Sequence, residues 1–262
     1  MGVLNVTPDS FSDGGEHFET TAAIAHGKQL AADGAQIVDV GGESTRPGAP
    51  RVAEAEELRR VIPVVRSLAE DGIVVSVDTM RAAVASAAVE AGALIVNDVS
   101  AGLADADMGT MAATLRTTRG TPPVFVAMHW RGHSDVMNDL TDYEDVARDS
   151  AAELEDRLAA LRAAGVRDEY LVVDAGLGFS KTGEQNWDVL GDWDAMASHG
   201  LPVLLGASRK RFLGALEVDR DAATAAITTI ATLHGAWAVR VHEVPANRAA
   251  VAVATRYLRS LR

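Results

Sequence analysis

Polar side chains suited to gripping a flat heterocycle and an anion recur directly after short apolar runs. Asp78 in Ser76-Val77-Asp78-Thr79, Asn97 in Asn97-Asp98, and Asp174 at the head of Asp174-Ala175-Gly176-Leu177-Gly178-Phe179-Ser180-Lys181 each close such a run. Two carboxylates and an amide converging on one mouth can pair with the N–H edge of a ring. Taken singly, each could cap the following helix or bind backbone; three together favour a binding role. Ser208-Arg209-Lys210 follows another run, and Arg240-Val241-His242 lies in the last. Arg240 and His242 are two apart on a strand and project to the same side. With Lys210 they can form an anion site; the bland alternative pairs Arg240 with a carboxylate and makes His242 a core histidine.

Two Gly-rich or polar loops join these. Asn5-Val6-Thr7-Pro8-Asp9-Ser10-Phe11-Ser12-Asp13-Gly14-Gly15 is either a surface turn, given Pro-Asp and Asp-Gly, or a loop led by a strand-end Asn5 that ligates Mg²⁺ or holds a phosphate oxygen. In Gly41-Gly42-Glu43-Ser44-Thr45-Arg46-Pro47-Gly48, glycines let backbone amides approach an anion and Arg46 adds charge. The Lys-Ser/Thr ending of a nucleotide-triphosphate loop is missing. Met128-His129-Trp130 reads as pocket wall, with Met128 the contact. His26, His199, His234, Trp187, Trp193 and Trp237 fall in or beside helical patterns and read as packing or surface residues; the acidic run from Glu54 to Glu57 reads as a solvated helix face. No His/Asp/Glu cluster has zinc-ligand spacing and Ser208 lacks a nucleophile elbow, which disfavours zinc and serine hydrolases.

The apolar runs that must position these groups are Gly2 to Val6, Gln36 to Val40, Ile73 to Val77, Leu94 to Val96, Val124 to Ala127, Leu171 to Val173, Pro202 to Leu205 and Ala238 to Val241. Each is unbroken and rich in Val, Ile and Leu, as parallel strands covered on both faces are. Helical patterns follow them over about Thr21 to Asp33, Ala53 to Glu70, Arg81 to Ala91, Ala106 to Thr117, Tyr143 to Ala164, Gln185 to Ser198, Asp221 to Gly235 and Ala246 to Leu261. Ala-Asp-Gly or Ala-Gly phrases end several helices with a Gly fit for the left-handed C-terminal position. The alternation predicts an α/β fold, a (β/α)8 TIM barrel, as one domain over residues 1–262, with an open doubly wound sheet as the runner-up. A barrel keeps its site at the strand C-termini, where the polar clusters lie. The polar stretch from Trp130 to Thr141 is expected to be mobile.

Composition narrows the partners. With 262 residues, a single barrel is affordable. Lys plus Arg number 24 against 37 Asp plus Glu, a formal charge of -13, so nucleic acid and anionic membranes are poor partners and any anion site is a local basic cluster. No cysteine is present, which removes disulfides and thiolate chemistry and fits a cytoplasmic setting. No apolar run approaches a membrane span, and the opening Met1-Gly2-Val3-Leu4 is too short, with no basic lead, for a signal peptide.

Across the stretches Asn5 to Gly15, Gly41 to Gly48, Ser76 to Thr79, Asn97-Asp98, Asp174 to Lys181, Ser208 to Lys210 and Arg240 to His242, in this order, the chain resembles the dihydropteroate synthases over nearly its whole length. The resemblance implies that Asp78, Asn97 and Asp174 hold a pterin, with Lys210 over or beside the ring. It implies that Asn5, Arg46, Arg240 and His242 hold the diphosphate, Asn5 through Mg²⁺. Thr45, Pro47, Phe179, Lys210 and Ser208 would shape a 4-aminobenzoate pocket, which sulfonamide drugs also occupy in this family. Asp78, Asp174, Lys210, Arg240 and His242 would carry catalysis, and loops one and two would close over the site. A homodimer packed through the last helices is expected. Ala175 stands where the family usually has Pro, which is expected to loosen that loop, and the chain begins almost inside its first strand. A pterin-binding methyltransferase would share the carboxylates but has no need of the basic cluster; a non-catalytic pterin-binding paralogue would be expected to have lost some of these residues.

Overall fold

The structure, a computed structural model, describes residues 1–7, 16–44 and 51–261. Thr45, Arg46 and Pro47, and the loop-one residues Pro8 and Asp9, lie outside the described residues. The strands are β1 (Gly2–Asn5), β2 (Val38–Gly41), β3 (Val75–Asp78), β4 (Ile95–Asp98), β5 (Val124–Met128), β6 (Leu171–Asp174), β7 (Val203–Leu205) and β8 (Ala238–Val239). They pair in parallel in sequence order, β1 through β8. Closure comes from a parallel bridge between Gly2 and Val241, with the Val3 amide donating to the Val241 carbonyl at 2.9 Å. This is the (β/α)8 barrel that the alternation predicts.

Around it run α1 (Glu16–Ala32), α2 (Glu54–Glu70), α3 (Ala82–Glu90), α4 (Met108–Thr114), α5 (Val146–Ala163), α6 (Gly183–Gly191), α7 (Trp193–Ala197), α8 (Arg211–Gly214), α9 (Arg220–Leu233) and α10 (Val244–Ser260). The pattern over Gln185 to Ser198 is two helices rather than one. The Asp192 side chain accepts from the Ala195 amide and starts α7, so the chain turns where the apolar spacing alone runs on. Trp237 belongs to no helix; it precedes β8 and is exposed, unlike Trp193, which is buried and stacked on His234.

Strand side chains sort by the two-residue period. Val38, Val40, Val75, Val77, Val96, Phe125, Ala127, Leu171, Val173, Val203 and Leu205 join the helices in one large core. Ile95, Val126, Val172 and Leu204 form a separate cluster with Ile37, Val74 and Ala238, the apolar filling of the barrel interior. Two residues further along the same faces come Asp39, Ser76, Asn97, Met128, Asp174, Gly206 and Arg240, with Asp78 two beyond Ser76. The interior therefore changes from hydrocarbon to charge within one side-chain layer, at the C-terminal end of the strands.

Candidate active site

That polar layer is a connected network. Register places Asn5 beside Gly41, Gly41 beside Asp78, and Asp78 beside Asn97. The Arg240 guanidinium crosses the mouth: its Nε donates to Asp39 Oδ2 at 2.6 Å and its Nη2 to Asp78 Oδ2 at 2.7 Å. Asn97 Nδ2 donates to the same Asp39 oxygen at 3.1 Å. Burial pushes Asp78 up to about 7 against the pull of Arg240, with the neighbouring Asp39 adding to the rise. Burial likewise raises Asp174, opposed by Lys210 and by the Gly176 amide, which donates to its Oδ1 at 2.8 Å.

Arg240 does pair with carboxylates, two of them, Asp39 and Asp78. His242 meets Ser208. Its backbone N–H donates to Ser208 Oγ at 3.1 Å, and its Nδ1 lies 3.0 Å from the same oxygen. Ser208 thus sits with His242. Asp98, beside Asn97, is an internal cap: it accepts from the Ser100 amide and hydroxyl and from the Gly102 amide.

Lys210 lies at the start of α8 with its stem over Gly178, whose φ is +73° and where an added Cβ would come 2.8 Å from Lys210 Cδ. Its ammonium donates to the Leu177 carbonyl and is 4.7 Å from the centre of the Phe179 ring. Burial pushes Lys210 down to about 8, although Asp174 opposes the shift. Phe179 packs with Met80, Val99, Met128 and Trp130. Glu43 and Ser44 join Met80, Val99, Trp130 and Phe179 around a small cleft. The stem of loop two is pinned beside it: Glu43 bonds Arg51 at 2.6 Å and Arg81 at 2.8 Å. Arg81 also bonds Glu57, which accepts from Thr79 at 2.6 Å. Glu57 is therefore buried, not part of a solvated face.

His129 departs from its expected place on the wall. It is buried and faces away, its Nε2 lying 2.9 Å from Glu153 Oε2, while Arg131 also bonds Glu153. Its other nitrogen meets Lys181, a buried amine that the clusters above did not single out. Lys181 Nζ is 2.8 Å from His129 Nδ1 and 3.4 Å from each of the Gly176 and Phe179 carbonyl oxygens. Three acceptors around one amine suit an ammonium, so His129 accepts at Nδ1 and donates from Nε2. This clamp holds both ends of the loop that carries Phe179. Gly176 completes it: φ is +66° and a Cβ would lie 2.3 Å from the His129 carbonyl oxygen. The Tyr143 hydroxyl donates to the Ser180 carbonyl at 2.9 Å. Ala175 is buried in the core, and the loop after it is braced rather than loose.

Burial, with the charge of Lys210, pushes Lys181 down from 10.5 to about 7. Between those values the unfolded chain holds a proton that the folded protein releases, so this group's penalty on folding is full below pH 7 and fades as pH rises. The melting temperature of the wild type should therefore gain on that of Lys181→Met between pH 7 and 10. A constant difference across that range would show an ordinary lysine.

Asn5 is the metal donor that the sequence offers among the described residues. Among the described residues, no group of three or more His, Cys, Asp or Glu side chains could form a protein cage. Asn5 offers a hard amide oxygen at the end of β1, on the mouth side of the sheet. That suits Mg²⁺, which keeps waters and commonly takes one or two protein oxygens together with substrate phosphates.

Comparison with known proteins agrees with this chemistry. A family model described as "Pterin binding enzyme" matches residues 1–242. Dihydropteroate synthase of Mycobacterium leprae (strain TN) is 47% identical over 269 residues, covering 98% of this chain and 93% of that protein. The solved structure of Xanthomonas albilineans dihydropteroate synthase with 4-aminobenzoic acid superposes with a TM-score of 0.89 at 40% identity, covering 98% of this chain and 92% of that one. The same organism's enzyme in complex with 7,8-dihydropteroate gives 0.86 at 38% identity, with the same coverage.

Proposed function

The chain belongs to the family of pterin binding enzymes, and from that premise we infer that it condenses (7,8-dihydropterin-6-yl)methyl diphosphate with 4-aminobenzoate. The products are 7,8-dihydropteroate and diphosphate, the dihydropteroate synthase step of folate biosynthesis. One observation carries the reading: the acceptor groups of Asp78, Asn97 and Asp174 share a barrel mouth with the cations Lys210 and Arg240. A methyltransferase on the same fold needs the acceptors but not the cations.

The chemistry follows from the layer. The C–O bond between the pterin methylene and the diphosphate breaks, the C–N bond to the arylamine forms, and the amine gives up a proton. Lys210, Arg240 and His242 stabilise the departing anion in a partly dry mouth, where fixed charges are worth most. The carboxylates of Asp78 and Asp174 face the electron-rich ring that shares the positive charge growing on the methylene. Arg240, tied to Asp39 and Asp78, is placed to serve both halves. Mg²⁺ held by Asn5 and diphosphate oxygens would supply further charge neutralisation on the leaving group. The arylamine, and sulfonamides with it, belong in the cleft beside Phe179, and Thr45, Arg46 and Pro47 would complete the site from loop two.

Pyrophosphate release should require both organic substrates and should fall when Mg²⁺ is chelated. Release from the pterin diphosphate alone at the same rate would instead mark a hydrolase, and full activity in chelator would remove the metal from the scheme.

The working form is a homodimer packed through α9 and α10. Support comes from apolar side chains left exposed there: Ile230 and Leu233 on α9, Val253 and Tyr257 on α10, and Leu261 just after it. Sedimentation velocity at micromolar concentration should show two copies; a monomer would refute this. The cytoplasm is the proposed compartment, supported by the cysteine-free chain. No described helix is long and apolar enough to cross a membrane. Recovery of the protein outside the cytoplasmic fraction would overturn that placement.

A further inference from the structure

We propose that Asp39 is a positioning residue that determines which ring edge the site accepts, by fixing the orientation of the Asn97 amide and the Arg240 guanidinium. The inference rests on the pterin-binding reading above and assigns a role to a residue whose bonds run to Asn97 and Arg240.

Asp39 lies in the middle of β2, is fully buried, and faces the barrel interior one layer below the mouth. A single oxygen, Oδ2, receives both the Asn97 Nδ2 hydrogen and the Arg240 Nε hydrogen. A carboxylate can only accept. The Asn97 side chain must therefore turn its NH₂ group toward Asp39, and the carbonyl oxygen is directed elsewhere. One N–H and one C=O remain for a ligand, in a fixed order. The same logic holds Arg240: with Nε committed to Asp39 and Nη2 to Asp78, its plane has one setting across the mouth.

The site retains this carboxylate at a cost. Its second oxygen, Oδ1, is buried without a hydrogen-bond partner among the described residues, as is Oγ of Ser76, its neighbour on β3. Hydrocarbon would fill the position more cheaply for folding alone, as it does in the layer beneath. A pterin and a lumazine differ along one ring edge: at C2 an exocyclic amine donates in the first and a carbonyl accepts in the second, and N1 accepts in the first and carries a donating N–H in the second. An amide locked in one orientation discriminates between them. An amide free to turn over serves either.

Asp39→Asn removes the constraint with little change in shape, because an amide at position 39 can accept from, or donate to, either neighbour. Calorimetric titration should show wild-type protein preferring 6-hydroxymethylpterin over 6-hydroxymethyllumazine, and the variant losing at least fivefold of that preference. KM for the pterin diphosphate should rise about tenfold while KM for 4-aminobenzoate changes less than threefold. An unchanged preference ratio, or equal losses for both rings and for the amine, would overturn the proposal. Should the variant fail to fold, a crystal structure of unaltered enzyme with 6-hydroxymethylpterin decides. Asp39 must still hold Asn97 Nδ2 and Arg240 Nε while the ring meets the rest of the amide; Asp39 bonded directly to the ring, or released by Arg240, would refute it. Pyrophosphate release by the same unaltered protein tests the underlying activity separately.

Discussion

Arg240→Met is expected to abolish measurable turnover and to lower the melting temperature by roughly 10 °C. Arg240 is the cation between two inward carboxylates, Asp39 with no exposure and Asp78 with 11%. Removing one partner of a buried ion pair typically costs about 3–5 kcal/mol, because the other charge stays desolvated. In a domain of this size each kcal/mol moves the melting temperature by about 2–4 °C. Methionine fills most of the space, so the loss reports charge rather than a cavity. The double variant Arg240→Met/Asp39→Asn should recover part of the stability and none of the activity, since the two sites are coupled. A single variant that melts within a degree of wild type would show that the guanidinium is not holding the mouth together.

Lys210→Met should leave the fold nearly intact and reduce kcat by about 10²–10³, the usual cost of one preorganised charge at a reacting centre. The amine contacts the Leu177 carbonyl and the Phe179 ring and lies in the field of Asp174. It is held by the loop it helps to shape and makes no direct ion pair among the described residues. Its loss leaves Asp174 without that through-space counter-charge but breaks no bonded pair. Its depressed pKa gives a second reading. The cation exists below about pH 8 and is lost above it, so kcat/KM, which reports the free enzyme, should fall on the alkaline side near that value. Lys210→Arg keeps its charge and should carry that limb to higher pH while retaining more activity than Met. An alkaline limb unmoved by Arg would assign it to another group.

How much of this was readable in advance depended on the direction of each side chain. Strand-end polar residues such as Asp78, Asn97 and Asp174 interrupt apolar runs and announce themselves. Asp39 sits inside the run from Gln36 to Val40 as a lone acid, and on a parallel strand buried on both faces its apolar neighbours do not show which side is the barrel interior. Its signal was the two-residue step to Gly41, the same step that separates Ser76 from Asp78. Glu57 was masked by the acidic run around it, although Val61, Val64 and Leu68 follow it at helical spacing and mark its face as buried. His129 and Lys181 are separated by 52 positions, and no local pattern ties a loop lysine to a histidine behind the wall. In the sequence, a carboxylate pairing of Arg240 stands as the alternative to anion binding. The structure gives it both settings, because one planar group can bond sideways and still face the mouth.

The bonds from Arg240 to Asp39 and Asp78 join residues 201 and 162 positions apart. During translation, at about 5–20 residues per second, Asp39 is added to the chain roughly ten to forty seconds before its partner. Until then a half-built barrel that closed over its own interior would bury two acids with no base. That penalty disfavours premature compaction of the nascent amino-terminal half and keeps its strands available for their late neighbour. The guanidinium that completes the mouth is thereby expected to delay the closing of the barrel, and ribosome-stalled chains should become protease-resistant only when arrest falls beyond Arg240 by more than the length of the exit tunnel.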